Sequence, residues 1–113
     1  MAFITATNTL GNCVVFGTDG TGKMALKSAA GDGVGGLAGA VLHPLALGNV
    51  RALRNGLDAS RMEAVRKVAI IGVGGVADRE GFERMMEVGA TAVGVATALG
   101  REGIEVFGKI VGN

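Results

Sequence analysis

The sequence predicts an α/β fold in which parallel strands alternate with helices. Three short apolar runs, at 2–7, 68–71 and 91–95, have the length and composition of strands. Each run is followed, directly or after a long loop, by a stretch in which apolar residues recur at helical spacing. Strands that alternate with helices are joined by right-handed crossovers and so form a parallel sheet.

The segment between the first strand and the first helix is predicted to leave this sheet. The apolar runs 13–16 and 24–26 flank turn residues at 19–22, a pattern that predicts a hairpin. The stretch 31–39 contains glycine at five positions, and we predict a loop there.

Helix signals mark the rest of the chain. Pro44 is placed to open the first long helix, because proline fits a helical first turn. The spacing from Ser60 to Glu63 is that of a capping box and predicts a short extra helix. Asp78 is placed to cap the helix after the second strand.

The apolar faces of these helices follow from their periodicity. The first helix presents Ala46, Val50, Leu53 and Leu57. The helix after Asp78 presents Phe82, either Met85 or Met86, and Gly89. The last helix presents Ile104, Phe107, Ile110 and Val111.

Length and composition limit the possible function classes. The 113 residues allow one domain, predicted to span 1–113. The net charge is +1 with no basic run, which argues against nucleic acid as a partner. A single cysteine excludes an intrachain disulfide framework and a cysteine-rich zinc site. No apolar stretch is long enough for a membrane span, and we expect a reduced, cytoplasmic compartment.

The residues that follow the three strands are the candidate site. In parallel sheets, ligands bind at the carboxyl ends of the strands. Those ends carry Thr7-Asn8-Thr9, Gly74-Gly75 and Ala96-Thr97. Glycines and a helix N-terminus at two consecutive strand ends are typical of a phosphate site, as in barrels whose last two strands hold a phosphate. The structural alternative is that these glycines only form turns.

A dinucleotide site is the competing interpretation of the stretch 72–77. Its glycines match the loose dinucleotide fingerprint between a strand and a helix. That fingerprint also requires an acidic residue about twenty positions further on, to bind the ribose. The stretch 90–96 contains no acidic residue, and this interpretation therefore fails at its second requirement.

Three individual residues, one of them in the strand-end set, have both a functional and a structural interpretation. The Asn8 amide has a donor and an acceptor that suit a planar heterocycle, although a turn or cap role is equally compatible with it. Cys13 lies in an apolar run and is predicted to be a small buried hydrophobe. His43 is predicted to be a loop or cap residue, because no second histidine exists to complete a zinc site.

Taken together, these motifs resemble the C-terminal part of the dihydroorotate dehydrogenases of the cytosolic class 1A type and their fungal relatives. The FMN domain of dihydropyrimidine dehydrogenase is similar as well, above all in its Ala-Thr-Asn-Thr stretch. The segments that carry the resemblance are 6–12, 33–39, 43–50, 70–76 and 96–103.

The resemblance implies an oxidoreductase with FMN as its cofactor. Such an enzyme oxidises dihydroorotate to orotate in pyrimidine biosynthesis, fumarate reoxidises its flavin, and it forms a homodimer. The chain would then supply the last three β/α units of a (β/α)8 TIM barrel. A complete barrel takes about 250 residues.

The resemblance also implies roles for individual residues. Asn8 and Thr9 would bind the substrate ring, and Thr7 would lie beside the flavin. Gly36 would contact the FMN. Its phosphate would be bound by Gly74, Gly75, Ala96 and Thr97. The family usually has glycine where this chain has Ala96.

One departure from the family concerns catalysis. The family's catalytic cysteine lies on a loop in the earlier part of the barrel, and Cys13 does not match it. We therefore expect the chain to be inactive by itself. We expect the chain either to be completed by an N-terminal segment or to self-associate as a homo-oligomer. The alternative function is that of a non-catalytic phosphate-binding half-barrel module.

Overall fold

A computed structural model describes residues 1–27 and 31–112. The strands in chain order are β1 (Phe3–Ala6), β2 (Leu10–Cys13), β3 (Gly35–Leu37), β4 (Ala69–Val73) and β5 (Ala92–Gly94). A single 3-10 turn (Ala40–Leu42) leads into α1 (His43–Asp58). The other helices are α2 (Glu63–Arg66), α3 (Arg79–Glu87), α4 (Thr97–Glu102) and α5 (Glu105–Val111).

The main sheet is parallel and has β4 at its centre. Its strand order is β1-β4-β5, and both neighbours of β4 run parallel to it. The pairing places Phe3 beside Ala69 and Ile71 beside Ala92. The prediction of an α/β fold with a parallel sheet is therefore confirmed. In a parallel sheet the carboxyl ends of all three strands lie at the same end of the sheet, so residues far apart in the sequence meet there.

The core lies between this sheet and the helices. The face of α1 predicted from periodicity is confirmed, with Ala46 and Val50 fully buried and the two leucines partly buried. On α3 the buried methionine is Met85, whereas Met86 is exposed. Met85 packs against β4 at Gly72, where an added Cβ would lie 2.5 Å from the Met85 Cγ atom. The glycine in this strand therefore lets α3 approach the sheet.

The predicted cap at the start of α3 forms, whereas the predicted capping box at the start of α2 does not. The Asp78 carboxylate accepts a hydrogen bond from the Gly81 N–H at 2.8 Å, so the predicted cap is confirmed. The predicted short helix exists as α2, but the capping box does not form. Ser60 accepts from the Met62 N–H at 3.1 Å, and Glu63 pairs with Lys67 at 2.9 Å.

The predicted apolar face of the last helix is largely wrong. Val106 and Ile110 are the buried residues of α5, while Ile104 is 78% exposed and Phe107 and Val111 are exposed as well. The helix begins after a turn at Gly103, whose φ is +71°. Val106 and Ile110 belong to the same buried cluster as Met85 of α3, and periodicity alone could not choose between two apolar stripes.

The excursion after β1 forms two antiparallel pairings. Phe16 pairs with Met24, and the Ala25 N–H donates to the Val15 carbonyl at 2.7 Å, which confirms the hairpin. The prediction of a loop throughout 31–39 is wrong, because β3 lies within it and pairs with β2. Glycine disfavours strands locally, but pairing with a distant strand overrides that preference.

The open edges of the main sheet predict self-association of the isolated chain. The two edges, β1 and β5, present unpaired N–H and C=O groups, and a net charge of +1 gives little repulsion. The radius of gyration is 16.5 Å, against about 13 Å for a compact domain of this length. We expect sedimentation to show oligomers that grow with concentration.

A charged residue on the edge strand separates edge pairing from general apolar aggregation. Phe3→Lys should reduce the association, because a lysine on an edge disfavours pairing with another strand. Met62→Lys is the matched control, since Met62 is 64% exposed and Phe3 is 61% exposed. A folded monomer at every concentration, or equal effects of the two variants, would contradict the prediction.

Candidate functional site

A cavity of about 300 Å³ lies at the carboxyl ends of the three parallel strands. It is lined by most of the candidate residues named from the sequence, namely Thr7, Asn8, Thr9, Gly74, Gly75, Ala96 and Thr97. Its volume is at the lower end of the range of ligand pockets, about 300–1,000 Å³. The parallel topology therefore brings together the three polar or glycine-rich strand ends.

Thr7 is held in place by two hydrogen bonds. Its N–H donates to the Val73 carbonyl at 2.8 Å, which continues the β1–β4 pairing one residue past β1. The Thr7 Oγ1 atom accepts from the Asn49 amide at 2.9 Å. Asn49 was not among the residues singled out from the sequence. The sequence feature that could have identified Asn49 is its position as a polar residue next to Val50, on the face of α1 that turns toward the sheet.

Asn8 has one local hydrogen bond and one free donor. Its Oδ1 atom accepts from the Thr9 N–H at 2.8 Å. This bond reaches the next residue, whereas an Asx turn reaches two residues on. Its Nδ2 group donates to none of the residues that the structure describes. The side chain is exposed at the mouth of the cavity, so this amide is available to a ligand carbonyl.

Gly36 lies outside the cavity wall, on β3. A Cβ atom at this position would overlap the Thr9 hydroxyl group. The role of this glycine in the described chain is therefore to make room for Thr9, which does line the cavity. Its contact with a flavin stays a prediction.

The backbone at Gly74 and Gly75 requires glycine for a reason that the sequence did not indicate. Both residues have positive φ angles, +140° and +70°. A Cβ at Gly74 would lie 2.5 Å from the Ala46 Cβ, and one at Gly75 would lie 2.7 Å from both the Gly39 carbonyl oxygen and the His43 Cβ. These glycines therefore admit the start of α1, and their missing side chains point toward α1 rather than toward a ligand.

Two residues that line this cavity have unused backbone N–H groups. The backbone N–H groups of Gly75 and Ala96 donate to no acceptor in the described ranges 1–27 and 31–112. Thr97, the first residue of α4, adds a hydroxyl group to the same wall. Free N–H groups and a hydroxyl are the donors with which proteins bind phosphate oxygens.

Charged groups are few at this site. Arg101 and Glu102 line the cavity, and the Glu102 carboxylate pairs with Lys109 at 2.8 Å. Neither residue was singled out from the sequence, although Arg101 lies one helical turn after Thr97. Within the described chain no group of three or more His, Cys, Asp or Glu side chains could hold a metal ion.

Cys13 lies away from the cavity. It is partly buried, and its thiol approaches the Leu10 carbonyl at 3.5 Å.

Among the described residues, none of the helices has both the length and the apolar composition of a membrane span.

The chain was compared with known protein families and with curated proteins. The family model for dihydroorotate dehydrogenase matches residues 1–113. The chain belongs to the dihydroorotate dehydrogenase family. The match covers every strand and helix described above, so the cavity lies wholly within the part shared with the dihydroorotate dehydrogenase family. The parallel sheet with its helices is consistent with that membership.

Curated relatives in the dihydroorotate dehydrogenase family include yeast and bacterial proteins. A Kluyveromyces lactis protein named dihydroorotate dehydrogenase (fumarate) is 32% identical over 111 residues. A Lactococcus lactis dihydroorotate dehydrogenase A (fumarate) is 31% identical over 112 residues, and a Streptococcus agalactiae relative is 37% identical over 111 residues. The alignments cover 97–98% of this chain but only 32% of each relative. The chain thus spans about a third of their length.

Proposed function

We propose that this chain is the C-terminal part of an FMN-dependent enzyme that oxidises dihydroorotate to orotate with fumarate as the electron acceptor. It would form the last three β/α units of a (β/α)8 barrel, with 1–113 as one part of that domain. The observation that carries the proposal is the cavity, where the predicted phosphate ligands converge inside the region matched to the family.

The residues present fit the phosphate end of FMN. The free N–H groups of Gly75 and Ala96, with the Thr97 hydroxyl, supply donors for phosphate oxygens. The extra methyl of Ala96 is compatible with this role, because the backbone N–H of Ala96 is unpaired among the described residues. Gly74 would contribute by letting α1 approach closely enough to form the wall of the cavity.

The substrate would be recognised at the other end of the cavity. Asn8 offers a free Nδ2 donor, Thr9 adds a hydroxyl, and the Asn49 amide orients Thr7 beside the place expected for the flavin. When bound, FMN supplies the redox chemistry by accepting two electrons from the substrate. The residues of this chain would bind and orient the two molecules.

The remaining predictions about partners belong to this proposal. A cytoplasmic location, with no nucleic-acid or membrane partner, fits the composition and the family. Association as a homo-oligomer, or completion by an N-terminal segment, would cover the open edges β1 and β5.

A comparison of FMN with riboflavin tests the phosphate site, because the two ligands differ only in the phosphate. We expect calorimetry to show tighter binding of FMN by the chain. Thr97→Val should lower FMN affinity roughly tenfold to a hundredfold, since a hydrogen bond to a charged group contributes about 1.5–3 kcal/mol. Riboflavin affinity should not change.

The matched control is Thr91→Val, because Thr91 is exposed and lies outside the cavity lining. Equal affinity of the wild-type chain for FMN and riboflavin would contradict the proposed phosphate site.

The second candidate function is a phosphate-binding module. FMN-selective binding with no dihydroorotate binding in a completed barrel would favour it. That candidate is supported by the local construction of the phosphate site, whose proposed donors all follow β4 and β5.

A further inference from the structure

His43 is the one buried polar side chain among the described residues, and both of its ring nitrogens have partners. Its side chain reaches from the first residue of α1 to two distant parts of the chain. Nδ1 lies 2.7 Å from the Gly74 carbonyl oxygen, and Nε2 lies 3.1 Å from Arg84 Nε on α3. His43 holds a cap position, as the sequence suggested, because it is the C-cap residue of the 3-10 turn and its N–H donates to the Ala40 carbonyl oxygen. The contacts of its ring with distant residues were not predicted.

Arg84 determines which ring nitrogen of His43 carries the proton. A guanidinium group can only donate hydrogen bonds, so Nε2 of His43 must accept and carries no hydrogen. In a neutral ring the proton then lies on Nδ1, which donates to the Gly74 carbonyl oxygen. The contact with Arg84 thus selects the tautomer that can hold the Gly74 carbonyl.

The orientation of the Gly74 carbonyl controls that of the Gly75 N–H, because both belong to one planar peptide unit. In a trans peptide the C=O and N–H bonds point in opposite directions. With the carbonyl turned toward His43, which does not line the cavity, the Gly75 N–H is directed away from His43. Gly75 itself lines the cavity. This is the same N–H that lacks an acceptor in the described chain.

We propose that His43, held in its Nδ1–H tautomer by Arg84, is a positioning residue that keeps the Gly75 N–H directed at the phosphate of the ligand. Two consecutive glycines can rotate the peptide between them at little steric cost. Without His43 the Gly74 carbonyl would be free to turn into the cavity, where its oxygen would repel a phosphate. This inference rests on the proposed phosphate site.

The tautomer can be measured directly, because His43 is the single histidine in the sequence. Long-range proton–nitrogen NMR spectra distinguish Nδ1–H from Nε2–H imidazole. We expect the wild-type chain to show the Nδ1–H form at neutral pH. In Arg84→Met we expect a mixture of the two forms, whereas Arg79→Met, on the same helix, should leave the spectrum unchanged. A wild-type spectrum of the Nε2–H form would overturn the inference.

Ligand binding tests the positioning role. His43→Leu and Arg84→Met should weaken FMN binding about tenfold, the effect of reducing the binding-competent peptide orientation to about a tenth of the population. Riboflavin binding should stay the same. His43→Asn should recover most of the FMN affinity, because its amide can donate from nearly the position of Nδ1. Unchanged circular dichroism verifies that each variant is folded.

The outcomes separate this inference from the proposed function. FMN-selective binding that persists at full strength in His43→Leu would overturn the positioning role and leave the phosphate site intact. Wild-type binding that does not distinguish FMN from riboflavin would overturn both. If His43→Leu is unfolded, the comparison of Arg84→Met with Arg79→Met decides the question, and equal FMN affinities in those two variants would overturn the inference.

Discussion

Gly75→Val is expected to abolish FMN binding and to destabilise the junction between β4 and α3. The φ angle at this position is +70°, and an added Cβ would lie 2.7 Å from the Gly39 carbonyl oxygen and from the His43 Cβ. Left-handed backbone strain costs about 1–2 kcal/mol for a residue with a side chain. Forcing extra atoms into a packed region adds about 1–3 kcal/mol.

The loss of binding would come from displacement of α1 rather than from direct blocking of the phosphate. The valine side chain would point at the start of α1, so it would push His43 and Gly39 away from the cavity. The Gly74–Gly75 peptide would move with them. Calorimetry with FMN and denaturant unfolding of the same variant would measure both effects.

Gly103→Val is the matched control for this experiment. Gly103 has a φ of +71°, but a Cβ there would meet nothing within 4 Å. A valine at this position would therefore be subject to the backbone strain but would not contact α1. We expect this variant to lose only the strain component of stability and to retain FMN binding. Equal losses in the two variants would show that the close approach of α1 does not matter.

The second large effect concerns catalysis, where we expect no dihydroorotate oxidation by the isolated chain. Removal of a proton from the substrate requires a base within hydrogen-bonding distance. Of the described residues that line the cavity, Glu102 alone is a carboxylate, and it is paired with Lys109 at 2.8 Å. A positioned acid or base contributes about 10²–10⁴-fold to a rate, so its absence should leave no measurable turnover.

Orotate formation can be followed by chromatography with FMN and fumarate supplied. The Lactococcus lactis dihydroorotate dehydrogenase A (fumarate) provides the positive control under identical conditions. Orotate production in proportion to the concentration of this chain, lost in Gly75→Val, would contradict the prediction. Addition of an N-terminal barrel segment that restores turnover would support completion by such a segment.

Local sequence patterns were enough to predict the α/β fold and the position of the candidate site. The periodicity of Ala46 and Val50 identified the buried face of α1, because a single apolar stripe is present there. Asp78 identified the start of α3 through its capping bond. Once the strands are known to be parallel, their carboxyl ends must meet, so Asn8, Gly75 and Thr97 could be placed together without knowledge of the packing.

Only the tertiary structure decided the features that depend on distant contacts. β3 is a strand because β2 lies beside it, although its glycines disfavour a strand. α5 buries Val106 instead of Phe107 because Val106 and Ile110 pack into the core cluster that contains Met85 of α3. His43 joins Gly74 and Arg84 across 31 and 41 residues of sequence, respectively. Periodicity reports which face of an element is apolar, but a hydrogen bond between elements depends on how they pack, and no local pattern contains that information.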